Sequence, residues 1–286
     1  MEKHGVDGRI VVLGTPGEEG GGGKVLMLRN SDCLKGVDAV MMAHACGATK
    51  AESGSSGICR FDVIFHGKAA HAAGSPHKGL NALDAQILLY DAVGLFRQQM
   101  DPSGLIHGVI LEGGEAANII PDRTRSRYLI RSVNVPVIDA MEERFRKMVE
   151  GAALMTGTDF EILYHSAGYL PRRINPPLND LYLELAAAQG MTLASAPMKP
   201  RGSSDFGNFS QVVPGSHPYF GVSPDPEAAI PGHSEALKAC ANSDFGRERM
   251  LDAGACLAGC ALAVLTDPDF RAEVRSAFEK CRPATV

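Results

Sequence analysis

Apolar residues fall in short runs near the start of the chain and at regular spacings further along it. Residues 9–14, Arg-Ile-Val-Val-Leu-Gly, form a compact apolar run that ends on a turn signal, which predicts a buried strand. A glycine-rich loop follows over 15–23, then a helix over 24–30, then a second apolar run over 38–43 that stops at His44. Strand, loop, helix and strand in that order mark a parallel α/β arrangement. Residues 48–57 are small, polar and rich in Gly and Ser, the composition of a linker.

From residue 58 the pattern changes. Phe61, Val63 and Phe65 alternate with Asp62 and Ile64 as in an amphipathic strand, and Leu80, Leu83, Ile87, Leu88, Val93 and Phe96 recur at helical spacing. Two strands are predicted over 105–111 and 128–133. Ile138, Met141, Phe145, Met148 and Ala152 mark a second helix, and 160–164 a last strand. The order βαββαβ predicts a ferredoxin-like module over about 58–165. After Pro171-Arg172-Arg173 the chain returns to mixed character and closes with helices over about 245–265 and 268–281. There is no internal repeat. The fold class expected is α/β: a discontinuous domain over 1–53 and 172–286, with a mixed sheet flanked by helices, carrying an inserted module over 58–168.

Composition narrows the function classes. At 286 residues, with 45% hydrophobic and 21% charged positions, the chain is built to fold. Its net charge of −5 offers no general attraction for nucleic acid or an anionic membrane surface. The first residues lack the apolar segment of a secretory signal. The longest apolar run, 255–265, is shorter than the ~18–20 residues of a membrane span and reads as a buried helix. Seven cysteines, an odd number without CxxC spacing, suit a reducing compartment, so the cytoplasm is expected.

The chemistry concentrates in the loop Gly17-Glu18-Glu19-Gly20-Gly21-Gly22-Gly23-Lys24. A phosphate-binding loop needs Gly six residues before the Lys and Ser or Thr after it, and Glu18 and Val25 stand there instead. Two readings of the carboxylate pair remain: a solvated acidic turn, or a site where one carboxylate holds a cation and the other accepts a proton from a water attacking a carbonyl. Its place at the C-terminal end of a predicted strand favours the second, because ligands bind there in open α/β sheets. His44, at another strand end, and His233, in Pro231-Gly232-His233-Ser234-Glu235, are donor types suited to zinc or manganese; a structural role is the alternative for each.

These residues in this order resemble the co-catalytic metallopeptidase family of aminoacylase and carboxypeptidase G, family M20, and within it the cytosolic β-alanyl-lysine-type dipeptidase branch. The resemblance rests on Val11 to Lys24, Met42-Ala43-His44, Gly67-Lys68-Ala69-Ala70-His71-Ala72-Ala73, Asn118-Ile119-Ile120-Pro121, Gly202-Ser203-Ser204-Asp205-Phe206-Gly207-Asn208 and Val213 to Phe220. It implies a catalytic domain interrupted by a ferredoxin-like lid that dimerises, and two zinc or manganese ions in a complete member. Glu18 resembles the general base, and Glu19, His44 and His233 resemble metal ligands. His71 resembles the histidine that reaches a partner subunit's active site and stabilises the oxyanion. Asn118 and Arg131 resemble lid groups that bind the substrate carboxylate.

The resemblance therefore implies metal-dependent hydrolysis of an amide bond in a dipeptide or N-acyl amino acid, β-alanyl or γ-aminobutyryl dipeptides with a basic C-terminal residue first. One departure stands against it. The family's section before the Glu-Glu loop, with two early metal ligands, has no counterpart here, which leaves three ligand candidates. The competing expectation is a catalytically inactive, truncated homologue that serves as a dimerisation or binding module.

Overall fold

The computed structural model describes residues 5–165, 167–194, 202–225, 228 and 230–280. Its elements begin with α1 (Gly23–Asn30), β1 (Val40–Met41) and β2 (His44–Cys46). Next come β3 (Gly57–His66), α2 (Ala82–Phe96), β4 (Leu105–Glu112), β5 (Arg123–Ser132), α3 (Val135–Thr156) and β6 (Asp159–Tyr164). The remainder holds α4 (Pro176–Ala188), α5 (Phe206–Val212), β7 (Gly215–Ser216), β8 (Tyr219–Gly221), α6 (Glu235–Ala241), α7 (Asp244–Thr266) and α8 (Pro268–Lys280). The chain divides into two compact units, one of Gly17–Gly22 with Ser56–Pro171 and one of Met1–Pro16, Gly23–Ser55 and Arg172–Val286.

The Ser56–Pro171 unit is a four-stranded antiparallel sheet, order β4-β5-β3-β6, with α2 and α3 on one face. This is the ferredoxin-like βαββαβ layout. Alternation drives it. Phe61, Val63 and Phe65 of β3 and Tyr128 and Ile130 of β5 point to the helices and are buried, while the intervening positions face away. Phe145 of α3 packs on Phe61 and Tyr128 with ring centroids 4.8 and 4.9 Å apart. Gly108 makes room for the Tyr128 ring, because a Cβ there would stand 2.3 Å from it. Helix α2 starts where the Asn81 side chain accepts the Leu83 N–H, and α3 stops at Gly157, whose φ of +70° closes the helix. Strand β5 begins five residues before the predicted 128: polar Thr124 and Ser126 take inward positions that hydrophobicity alone did not mark.

The second unit is α/β, but its strands are short. β1 pairs with β7 and β2 with β8, both parallel, as two separate ladders. The helices supply most of its core: Tyr182 and Ala186 of α4 meet Ala253, Cys256 and Cys260 of α7. Three sequence expectations change here. Residues 9–14 form no strand: an apolar run becomes one only where a neighbour answers its backbone, and among the described residues none pairs with it. Val12 is 91% exposed, and the segment lines an apolar groove of about 680 Å³ with Val264 and Leu265 of α7. The expected linker at 48–57 is instead packed structure: Thr49, Glu52 and Ser55 are buried, and Thr49 and Lys50 bridge to Leu193 and Tyr219. Helix α7 is long and apolar enough, by length and composition, to cross a membrane; it buries one side against α4 and leaves Leu251 and Leu262 exposed.

Candidate active site

The acidic loop is shaped by glycine and held by one tyrosine. Gly17, Gly20 and Gly22 take φ values of +74°, +96° and +68°, a left-handed region that side chains with a Cβ resist. The Tyr169 hydroxyl accepts the N–H of Gly20 and of Gly22, each at 3.1 Å, and donates to the Glu18 carbonyl at 2.6 Å. One buried phenol thus ties three points of the loop. Glu18 is left half-buried and Glu19 exposed. After the loop, Lys24 is buried at the start of α1, where its backbone N–H and its ammonium both meet the Asp205 carboxylate, at 3.0 and 2.8 Å.

His71 and Asn118, 47 positions apart, are neighbours. Residues 71 and 119 form an antiparallel bridge, and the Ala72 N–H donates to the Asn118 carbonyl at 2.9 Å. His71 Nδ1 accepts the backbone N–H of Ala73 at 3.2 Å and of Gly74 at 3.0 Å. A nitrogen that accepts carries no proton, so the neutral ring is protonated at Nε2, a donor on an exposed side chain. His44 has the opposite bias. Its Nδ1 donates to the Ala45 carbonyl at 2.7 Å, which leaves the Nε2 lone pair as an acceptor or metal ligand.

Behind His44 lies a buried charged network without a clear signature in the sequence. The His217 ring stands 5.7 Å from that of His44, and its Nδ1 meets the Arg172 guanidinium at 2.5 Å. Arg172 also lies 3.1 Å from Glu52 and donates to the Gly54 carbonyl and the Tyr219 hydroxyl. Glu52 accepts the His217 N–H at 2.7 Å. Burial outweighs the pull of Arg172 and pushes the Glu52 carboxyl up to about 7. Burial and the Arg172 charge hold His217 well below the usual histidine range.

The remaining candidates lie apart from these. Arg131 is on β5 opposite Ile58 and Leu105. The His71 segment joins the sheet beyond the other end of β5, where the Gly67 N–H meets the Asp122 carbonyl. Arg123 to Arg131 spans roughly 27 Å of extended strand. Within one chain, then, Arg131 does not share a small-molecule site with His71 and Asn118. His233 sits in an exposed loop with φ +54°. Among the described residues, no three His, Cys, Asp or Glu side chains converge where they could hold a metal ion. Glu19, His44 and His233 therefore do not by themselves fit the pair of cations that the resemblance implies.

A discontinuous α/β unit is interrupted by a ferredoxin-like module, and that module corresponds to a dimerisation domain found in peptidases. The pattern of the peptidase dimerisation domain matches residues 53–155. The chain is 35% identical to the Xaa-Arg dipeptidase of Mus musculus over 277 residues, which cover 96% of this chain and 63% of that protein. The Homo sapiens Xaa-Arg dipeptidase is 34% identical, covering 95% and 62%. This chain thus spans a little over three-fifths of the length of these relatives. A dinuclear metal-binding peptidase of family M20 from Bacillus subtilis shares the fold with a TM-score of 0.56 at 18% identity, over 88% of this chain and 64% of that one. The chain thus carries a peptidase dimerisation domain, is similar to Xaa-Arg dipeptidases over most of its own length, and shares the fold of an M20 peptidase.

Proposed function

We propose that this chain acts in the hydrolysis of a peptide bond in dipeptides or N-acyl amino acids, with β-alanyl and γ-aminobutyryl dipeptides the first substrates to test. The observation that carries the reading is the pairing of His71 and Asn118, with His71 held as an Nε2 donor. A donor fixed before reaction is what a developing oxyanion requires. In this reading Glu18, half-buried on a loop held by Tyr169, accepts the proton of the attacking water and passes it to the leaving amine. Asn118 and the Arg131 fork bind the substrate carboxylate. Residues 1–53 and 172–286 form the catalytic domain, and 58–168 form the lid.

The wide spacing of Arg131 and His71 supports a homodimer in which one lid completes its partner's site. Strand β4 suits that role: it is a sheet edge with Leu105, Val109 and Leu111 exposed. Zinc or manganese is the expected activator, and binding two ions requires donors beyond Glu19, His44 and His233. The six described cysteines are all free, which supports a cytoplasmic setting.

A second reading, a catalytically inactive dimerisation or binding module, is favoured by the lack of a three-donor cluster among the described residues. One experiment separates the two: metal content per chain together with turnover of a dipeptide panel by the parent and by Glu18→Ala. About two ions and turnover lost in the variant support the hydrolase. A folded dimer with no metal and no turnover supports the inactive module.

A further inference from the structure

Helices α2 and α3 cover one face of the module's sheet, and the other face is rich in arginine. Most of its charges are answered. Arg125, Arg127 and His165 gather on Asp62, Arg123 pairs with Glu112, and His66 with Glu161. One end differs. The register sets His107 of β4, Leu129 of β5 and Arg60 of β3 in a single row across three strands. Arg131 is one diagonal step from both Arg60 and His107, a separation of about 7–8 Å between backbone positions. Asp62 opposes Arg127 and bonds it, which fixes the face that all four residues share.

Among the described residues, no hydrogen bond or ion pair joins Arg60, His107 or Arg131 to a carboxylate, and the Arg131 Nε is buried without a hydrogen-bond partner. Burial, then the charges of Arg131 and Arg97, hold His107 below its ordinary range, so uncompensated positive charge is felt at this end of the sheet. Arg131 acts on His107 directly, the register sets Arg60 one diagonal step from Arg131, and a carboxylate bound among the three relieves the repulsion of like charges.

We propose that Arg60 and His107 join Arg131 as a three-sided clamp for a free carboxylate, so that this end of the sheet requires the unblocked C-terminus of its ligand. The inference deepens the peptidase reading and rests on it for the identity of the ligand. It adds two binding residues, and it makes the clamp selective for charge over shape: a carboxamide of the same size offers no negative charge and brings N–H donors toward cationic donors.

The test is an NMR titration of the full 286-residue chain with N-acetylglycine and with its carboxamide, at fixed moderate salt, for the parent, Arg60→Ala, His107→Ala and Arg131→Ala. Arg60 is exposed, so its removal leaves the fold intact, which the unperturbed amide spectrum checks. The expected result is that the parent binds the carboxylate at least tenfold more tightly than the carboxamide. Arg60→Ala and Arg131→Ala each remove that preference, and His107→Ala reduces it. Equal affinity for the two ligands in the parent overturns the clamp, as does an Arg60→Ala variant with the parent's preference. If only Arg131→Ala loses binding, the two added residues are refuted while the peptidase reading stands. A clamp that behaves as expected in a chain without turnover removes the peptidase reading instead.

Discussion

The Nδ1 atom of His71 accepts the backbone N–H of Gly74 at 3.0 Å, so a turn three residues long decides which ring nitrogen carries the proton. Gly74 packs closely enough on the ring that a Cβ would stand 3.4 Å from Nδ1. The expected outcome is a neutral Nε2–H tautomer, read from the ¹⁵N shifts of the ring. Gly74→Pro, which removes the shorter of the two hydrogen bonds to Nδ1 and leaves that from Ala73, weakens the bias and mixes the tautomers. In the active assembly His71→Ala lowers kcat by roughly 10²-fold or more without changing the melting temperature, the scale of losing one oxyanion donor. An Nδ1–H tautomer in the parent would rule out the donor role.

Tyr169→Phe deletes one oxygen and with it three hydrogen bonds to the acidic loop. The Gly22 amide is the sensitive probe, since its hydrogen bond is buried. Its exchange with solvent accelerates in the variant, stability falls by about 1–3 kcal/mol, and turnover drops as Glu18 loses its fixed position. Unchanged Gly22 protection would show that the glycines hold the loop unaided.

Asp62 is fully buried beneath Arg125, Arg127 and His165. Burial raises its pKa, but the hydrogen bonds from Arg127, His165 and Arg125 outweigh that effect and bring the carboxyl down to about 2. Because the folded value lies below the unfolded one, the stabilisation is complete above pH 3.8 and fades as pH falls toward 2. It amounts to about 2 kcal/mol. In urea titrations, Asp62→Asn therefore differs more from the parent at pH 6 than at pH 2.5. A constant difference across that range would refute the assignment.

Glu52 behaves in the opposite sense. Its carboxyl titrates near 7 when folded against 4.5 as a free group, so the folded chain binds the extra proton. Its contribution is most favourable below pH 4.5 and is lost as pH rises through 7, a swing of about 3 kcal/mol. His217, held neutral by burial and Arg172, has a contribution that runs the other way with pH, so the informative quantity is the difference between parent and Glu52→Gln. That difference changes between pH 5 and 8 if Glu52 titrates there and stays flat if it does not.

The inserted module was legible in the sequence chiefly through β3 and α3; α2 buries Ala82, Ala85, Gln86, Leu89 and Val93 while the expected Ile87 is exposed, and no residue of β6 is fully buried. Phe61, Val63 and Phe65, or Ile138, Met141 and Phe145, announce their period directly. The discontinuous unit was not. β7 and β8 are two and three residues long, too short to show a period, and α5 and α6 have seven residues each. Residues 9–14 have a strand's composition but, among the described residues, no strand that pairs with them, which composition cannot reveal. The acidic loop stood out by its carboxylates and glycines, whereas Tyr169, which holds it, lies about 150 residues away and carries no motif. The same holds for the contact of His71 with Asn118 and for the Glu52–Arg172–His217 network. Tertiary contacts create these pairings, so no local pattern marks them.

Ile58 and Tyr169 exchange two backbone hydrogen bonds, 2.8 and 3.0 Å long, at the point where the chain enters and leaves the module. A flexible excursion of the same length, Ser56 to Pro171, would charge the other unit about 4 kcal/mol in closure entropy. Once the module has folded, its doorway is one strand spacing wide, and to the rest of the chain it weighs no more than a tight turn. The insertion is therefore thermodynamically portable in its closure: a relative's module with both ends tied in this way can replace it, provided it also supplies the hydroxyl that holds the Gly17–Gly22 loop.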